Sequence, residues 1–346
     1  MELKIAGDTD QQDWDAIVER SPNATLFHTW KWLKLMEKNS AIQNNGIISQ
    51  VTFHPLFLID KDRTVGIFPL FFFKNILYNF TYSPPPNSEI LYLGPLFPDL
   101  EIVKEEKKQI LINNVQKEID RYIKKDLSSA YIQVSTSPGY EDCRSFKWAG
   151  YIVSPRYSYE IDLMKGKESV WNEFPRKLKY EINSVKKKGF SVEIGTRKDL
   201  EFIYDLLKER NRINADKKYI LEIFETFSPQ NLKVFILKYE GKNISGIVFI
   251  SYKKRGWIWI GNPRPLTDGP SPNNLLLWEV ISYAVDCGLE RLENIGADDY
   301  FSFPFKRRFN GKIIPYYQMR WLSQSLKVFS AMYHFLNTGQ KTWIDE

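Results

Sequence analysis

The feature that most restricts how this chain can fold is an order of elements that occurs twice. In the first half, residues 100–126 read as a helix with Ile110, Val115, Ile119 and Ile123 along one side, followed by a strand near Tyr131–Ser135. Then come Phe146-Lys147, Gly150, Ile152 and the tyrosines Tyr157 and Tyr159. In the second half, Pro272–Gly311 supplies a helix over Asn273–Cys287, a strand at Leu292–Ile295, the pair Phe305-Lys306 and Gly311, with Ile313, Tyr316 and Tyr317 after it. Single residues match by chance, but helix, strand, Phe-Lys loop, glycine and strand in one order is the trace of a duplicated mixed α/β domain. The 346 residues, 43% of them hydrophobic, suffice for two such domains with a core each.

Periodicity fills in the remaining elements. Helices are expected over Gln11–Arg20, stopped by the Ser21-Pro22-Asn23 turn, and over Thr29–Lys38. Apolar runs at Ile47–Phe53, Pro55–Ile59 and Val65–Phe73 read as strands, the last two joined by the polar turn Asp60–Arg63. Pro84-Pro85-Pro86 is a stiff connection to a strand at Ile90–Leu93, and a further strand is expected at Ser158–Leu163. A helix over Glu168–Lys188 should stop at Gly189. Beyond it come a strand at Ser191–Ile194, helices over Asp199–Arg212 and Tyr219–Phe227, and strands at Lys233–Tyr239, Ile244–Tyr252 and Trp257–Gly261. A strand at Ile313–Leu322 and a final helix close the chain. The expected division is 1–164 and 165–325, the second domain carrying the active site, with a C-terminal helix and tail over 326–346.

Several kinds of chemistry drop out. Cys143 and Cys287 are the only cysteines and lie far apart, which argues against a disulfide scaffold or a zinc site. His28, His54 and His334 stand apart from any acid or nucleophile, so neither a histidine triad nor a metal centre is expected. No Walker loop, dinucleotide-binding fingerprint or nucleophile elbow occurs. The polar, acidic N-terminus is unlike a signal peptide. The longest apolar run, Val65–Leu77, is broken by Pro69 and Lys74 and is too short to span a bilayer, so a cytoplasmic protein is expected. The net charge of +6 permits an anionic partner such as a phosphorylated substrate, coenzyme A or RNA without requiring one. A reaction here would rest on positioning and electrostatics, with no metal and no tightly bound cofactor.

Two basic clusters are the candidates for that work. Arg176, Lys179 and Tyr180 are three and four residues apart, share a helical face, and suit a phosphate or pyrophosphate. Lys186, Lys187 and Lys188, further along, read as a solvated face, or as the surface of a non-catalytic RNA- or nucleotide-binding module. The second cluster, Lys306, Arg307 and Arg308, lies between Phe305 and Phe309, where a partly desolvated lysine would act strongly on a developing oxyanion. Asp298 and Asp299 precede it and could pair with those cations or accept a proton from an amine. Trp257, Trp259 and Trp278 are expected to line or underlie a groove beside this loop, and Trp259 is a candidate substrate contact.

Leu26-Phe27-His28-Thr29-Trp30, the basic helix ending in Lys-Lys-Gly, Pro272-Asn273-Asn274-Leu275 and Phe305-Lys306-Arg307-Arg308-Phe309 together resemble the Fem family. These are the peptidoglycan cross-bridge transferases with tandem GNAT-like (acyl-CoA N-acyltransferase) domains, and the likeness extends to related GNAT acetyltransferases over nearly the whole chain. The resemblance implies two GNAT-like domains of mixed α/β sheet and transfer of an acyl or aminoacyl group to an amine. It implies that Arg176 and Tyr180 hold the phosphates of an anionic acceptor and that Lys306, after Phe305, stabilises the reaction centre. The co-substrate implied is aminoacyl-tRNA or acyl-CoA. The coiled-coil arm of some Fem members is missing, since Phe190–Phe227 leaves no room for it. The Arg/Gln-x-x-Gly-x-Gly/Ala turn of acetyl-CoA enzymes is also missing. An acetyl-CoA-dependent N-acetyltransferase acting on an amino sugar or small amine is the alternative.

Overall fold

Aliphatic and aromatic runs of the first half become long, paired strands. In chain order the elements are β1 (Glu2–Ile5), α1 (Gln11–Arg20), α2 (Trp30–Ile42), β2 (Ile48–Asp60), β3 (Arg63–Asn75), β4 (Asn79–Ser83), α3 (Glu105–Arg121), β5 (Ser129–Ser135) and α4 (Arg144–Trp148). They continue with β6 (Ile152–Asp162), α5 (Gly166–Glu173), α6 (Arg176–Lys187), β7 (Ser191–Ile194), α7 (Arg197–Glu209), α8 (Lys217–Phe227), β8 (Leu232–Tyr239), β9 (Lys242–Tyr252) and β10 (Arg255–Gly261). The last are α9 (Asn273–Asp286), β11 (Arg291–Asn294), α10 (Phe303–Lys306) and β12 (Lys312–Leu322). This computed structural model describes residues 1–42, 48–263, 265 and 269–328. The chain forms two units: Met1–Pro86, Tyr92–Pro155 and Tyr316–Glu346 make the first, Asn87–Leu91 and Arg156–Pro315 the second.

In the first unit the strand order is β1-β2-β3-β4-β5-β12. All neighbours are antiparallel except β4 and β5, which run parallel. The apolar face of α3, with Ile112, Val115 and Ile119, packs on Leu56, Leu58, Phe68 and Leu70 of the β2–β3 hairpin. Each such side chain, fully buried, contributes about 1.5–3 kcal/mol. The opposite face of α3 is charged, the division expected of a helix covering one side of a sheet.

The second unit repeats this plan as β7-β8-β9-β10-β11-β6, again with one parallel pair, β10 and β11. Thr196 caps α7: its backbone N–H donates to Asp199 Oδ2 at 2.7 Å. Asp216 caps α8 by accepting from Lys218 N at 2.8 Å. The counterpart of α3 here is α9, and it is apolar nearly all round, with Leu275, Leu276, Leu277, Val280, Ile281 and Ala284 all buried. Such a helix must be covered on more than one side. Val170, Leu178, Ile182 and Val185 of α5 and α6 join the same core from the other side.

Some expectations shift for local reasons. The helix expected over Glu168–Lys188 is two helices, because Phe174 is held extended ahead of Pro175. The strands expected at Ile47–Phe53 and Pro55–Ile59 are one, with Pro55 opposite Pro69, and Ile47 itself lies outside the described residues. Ile90–Leu93 is no strand but a single bridge from Leu93 to Thr136. The two Phe-Lys loops each close into a short helix, α4 and α10. β12, read as part of the span 165–325, pairs over Gln318–Leu322 with β5 of the first unit. The C-terminal helix is helical over 324–328; the rest of it, with His334, lies outside the described residues.

Candidate active site

Lys306 is the last residue of α10, and short-range chemistry on both sides fixes it. Upstream, the Asp299 carboxylate accepts from Phe301 N at 3.0 Å, and its main-chain carbonyl accepts from Ser302 Oγ at 3.2 Å and Phe303 N at 3.1 Å. An aspartate that binds the backbone two residues on is a turn-former, and this turn launches α10. Downstream, Phe309 is fully buried and meets the rings of Phe305 and Phe174, each with a centroid separation of 5.4 Å. Between these anchors the Lys306 side chain reaches the end of β11, where Nζ donates to the carbonyls of Ile295 and Gly296, the latter at 2.6 Å.

Burial lowers the Lys306 pKa to about 8, with Asp299 and Glu293 pulling it up and Arg212 pushing it down. At neutral pH the group is therefore mostly an ammonium, with little water around it to screen its charge. Arg212, in the connection after α7, lies with Nη2 3.5 Å from Asp299 Oδ2. Burial would raise the Asp299 carboxyl, but the donors at Phe301 and Ser302 and the Arg212 charge outweigh it and hold the group below its ordinary value. The site is thus a cation, an anion and a second cation: Lys306, Asp299 and Arg212.

The other residues singled out from the sequence are distributed differently. Asp298 is exposed and accepts from Tyr157 N at 3.3 Å, so Asp299 and not Asp298 is the aspartate that acts on Lys306. Arg307 is exposed, with its guanidinium over the Phe303 ring at 5.1 Å. Arg308 turns inward, and its Nη2 lies 2.5 Å from Glu181 Oε2. The same oxygen accepts from Asn274 Nδ2 at 2.8 Å, so Glu181 joins α6, the first turn of α9 and the segment after Lys306. Phe305 packs against the core. Arg176 and Tyr180 stand in solvent on α6, Tyr180 being 72% exposed, and neither bonds the Lys306 group.

Of the three tryptophans, Trp278 borders a groove. It meets Trp171 at 4.7 Å, and with Ile182 and Leu275 the pair floors a shallow groove of about 400 Å³ between α5, α6 and α9. Trp257 is buried and donates to Glu293 Oε2 at 3.1 Å. Trp259 is buried and donates to the Glu89 carbonyl at 2.8 Å, while the Glu89 carboxylate accepts from Asn214 N and Ala215 N. Trp259 is therefore a brace for the α7–α8 connection and offers no ring to a substrate. Cys143 and Cys287 are free, and no cluster of three or more metal-ligating side chains occurs among the described residues.

Beside Lys306 the parallel pair opens. Ile258 opposite Asn294 is the last register between β10 and β11. β10 then slips in register against β9 and ends at Gly261, whose φ is +120°. A Cβ at Gly261 would lie 2.4 Å from the Gly246 carbonyl oxygen, so only glycine lets the backbone close up here. Sequence reading singled out Lys306 through its Phe-Lys context. It missed Arg212, which carries no local signal, and Glu181, whose signal was to be the lone acid of a basic helix.

Residues 173–307, within the second unit, match the family described as Acetyltransferase (GNAT) domain. Among solved structures the chain is similar to FemX, with 14% identity and a TM-score of 0.66 over 96% of this chain and 100% of that one. It is also similar to L-PGS from Bacillus licheniformis (13% identity, TM-score 0.52, 98% and 100% covered). A third likeness is to a tandem GNAT protein from the clavulanic acid biosynthesis pathway (10%, TM-score 0.51, 93% and 98% covered). No curated protein sequence matches. At such identities the likenesses establish fold, a tandem GNAT-like one with the same plan in both units, and the matched domain supports a transferase. Among the described residues no helix is long and apolar enough to cross a membrane.

Proposed function

We propose that the chain is a cytoplasmic acyl or aminoacyl transferase that forms an amide by direct attack of an amine on an activated acyl donor. The observation that carries this reading is Lys306, a desolvated ammonium fixed by two backbone carbonyls where the parallel strands of the GNAT domain part. The amine nitrogen bonds the donor carbonyl carbon, and the carbonyl electron pair moves to oxygen beside the Lys306 ammonium. Collapse breaks the bond to a thiolate or a ribose oxygen, which takes up a proton as the amine gives one up. Asp299, held at a low pKa, is a poor proton acceptor and serves to orient Arg212 and Lys306. Asp298, which accepts from Tyr157 N, is the candidate base.

The matched GNAT domain favours acyl-CoA as donor, whereas the Fem-like order of motifs favours aminoacyl-tRNA and a phosphate-bearing cell-envelope precursor held by Arg176 and Tyr180. Thermal-shift titration separates the donors, since the one bound by the folded protein raises the melting temperature. A well-folded Lys306→Ala variant should lose about 10²-fold or more in turnover with the stabilising donor. Unchanged turnover would remove Lys306 from the chemistry, and no turnover with either donor would leave the nucleotide-binding reading in its place.

A further inference from the structure

Two features of the second unit take no part in the contacts at Lys306. The first is the solvent face of α6. Its only acid, Glu181, is buried against Arg308 and Asn274. What remains outside is Arg176, Lys177, Lys179, Lys186 and Lys187, with Lys188 at the cap, and none of these forms an ion pair among the described residues. The second is the turn before α10, where Tyr300 is 80% and Phe301 86% exposed, with Phe303 partly exposed beneath Arg307. Exposed rings in succession at a turn are costly in water unless something covers them.

The two features lie on segments that are tied together. The segment that follows the aromatic turn is fastened to α6 by the Arg308–Glu181 pair and to α5 by Asn310 Nδ2 donating to Glu173 Oε2 at 2.9 Å. We propose that α6 and the aromatic turn at 300–303 form a peripheral docking surface for an anionic lipid bilayer. Charge complementarity selects the occupant: unpaired cations draw an anionic surface, and tyrosine and phenylalanine rings settle at the boundary between headgroups and acyl chains. Five of the six cations are lysines, which suit diffuse headgroup charge better than the bidentate grip of arginine on a single phosphate. The rings of Tyr300 and Phe301 meet edge to face at 77°, a poor platform for stacking successive bases. This inference does not depend on the acyl-transfer reading.

The test is co-sedimentation of the full chain with vesicles of phosphatidylglycerol and phosphatidylcholine against vesicles of phosphatidylcholine alone. Partitioning should require phosphatidylglycerol and weaken with salt. Changing Lys186, Lys187 and Lys188 to Gln should weaken it about 100-fold. Tyr300→Ser with Phe301→Ser should weaken it about tenfold while the melting temperature holds, since both sites are exposed. Equal binding to the two vesicle types, no binding at low salt, or wild-type binding by both sets of variants would overturn the proposal. So would a structured RNA that binds more tightly than the vesicles and is lost with the same aromatic changes, which would assign the surface to nucleic acid.

Discussion

At the end of its parallel strand pair the first unit is closed by backbone, the second by a lysine. Beyond β4 and β5, Leu93 stitches the gap: its N–H donates to the Ser135 carbonyl at 2.9 Å and its carbonyl accepts from Ser137 N at 3.1 Å. Beyond β10 and β11, the carbonyls of Ile295 and Gly296 are held by Lys306 Nζ, and no such bridge crosses the gap among the described residues. The Phe-Lys pairs diverge accordingly. Phe146 and Phe305 both anchor to a core, but Lys147 is exposed on α4 whereas Lys306 is half-buried, with its ammonium shielded from water. The two units share one strand order, and a few side chains set the end of the parallel pair in the second apart from that in the first.

Substitutions can break or sharpen that contrast. Lys306→Ala should lower turnover about 10²-fold or more, and Lys147→Ala should leave it within about twofold. Equal losses in an amide-formation assay would mean that the units are functionally alike. A smaller effect follows from the pKa near 8: the ammonium is present below that pH and lost above it, so kcat/KM should fall about tenfold per pH unit beyond it. Lys306→Arg, if active, should push that fall to higher pH.

Stability should differ as well. Glu181→Ala leaves Arg308 partly buried without its carboxylate and should cost about 2–4 kcal/mol in urea unfolding. In the first unit the corresponding loop is held by a neutral group. Gln116 donates to Tyr140 Oη and the Asp142 carbonyl and accepts from Ser145 N, so Gln116→Ala should cost less, about 1–3 kcal/mol. The smallest effect is expected of Trp259→Phe, which removes one hydrogen bond to Glu89 at about 1 kcal/mol and should spare turnover.

Long elements were readable because apolar spacing repeats over several turns or pleats, as in α1, α9 and β7–β10. α4 and α10 were not, since four or five residues carry no period. The break before α6 had a signal in Pro175, overridden by apolar residues that keep helical spacing across it. The pairing of β12 with β5 is a choice of partner, which no local property encodes. The same holds at the site. Lys306 stood out because aromatic neighbours promise desolvation, whereas Arg212 reaches Asp299 only through the packing of the connection after α7. Trp259 alternated like core and is core; its single polar atom is spent on Glu89.

The central claim is that Lys306 is a desolvated ammonium, and lysine side-chain NMR across a pH titration tests it without any substrate. One ammonium signal should titrate near pH 8 and vanish in Lys306→Arg. A Lys306 signal that titrates at its ordinary 10.5 would contradict the account, because a fully solvated lysine has no special hold on an oxyanion at the end of β11.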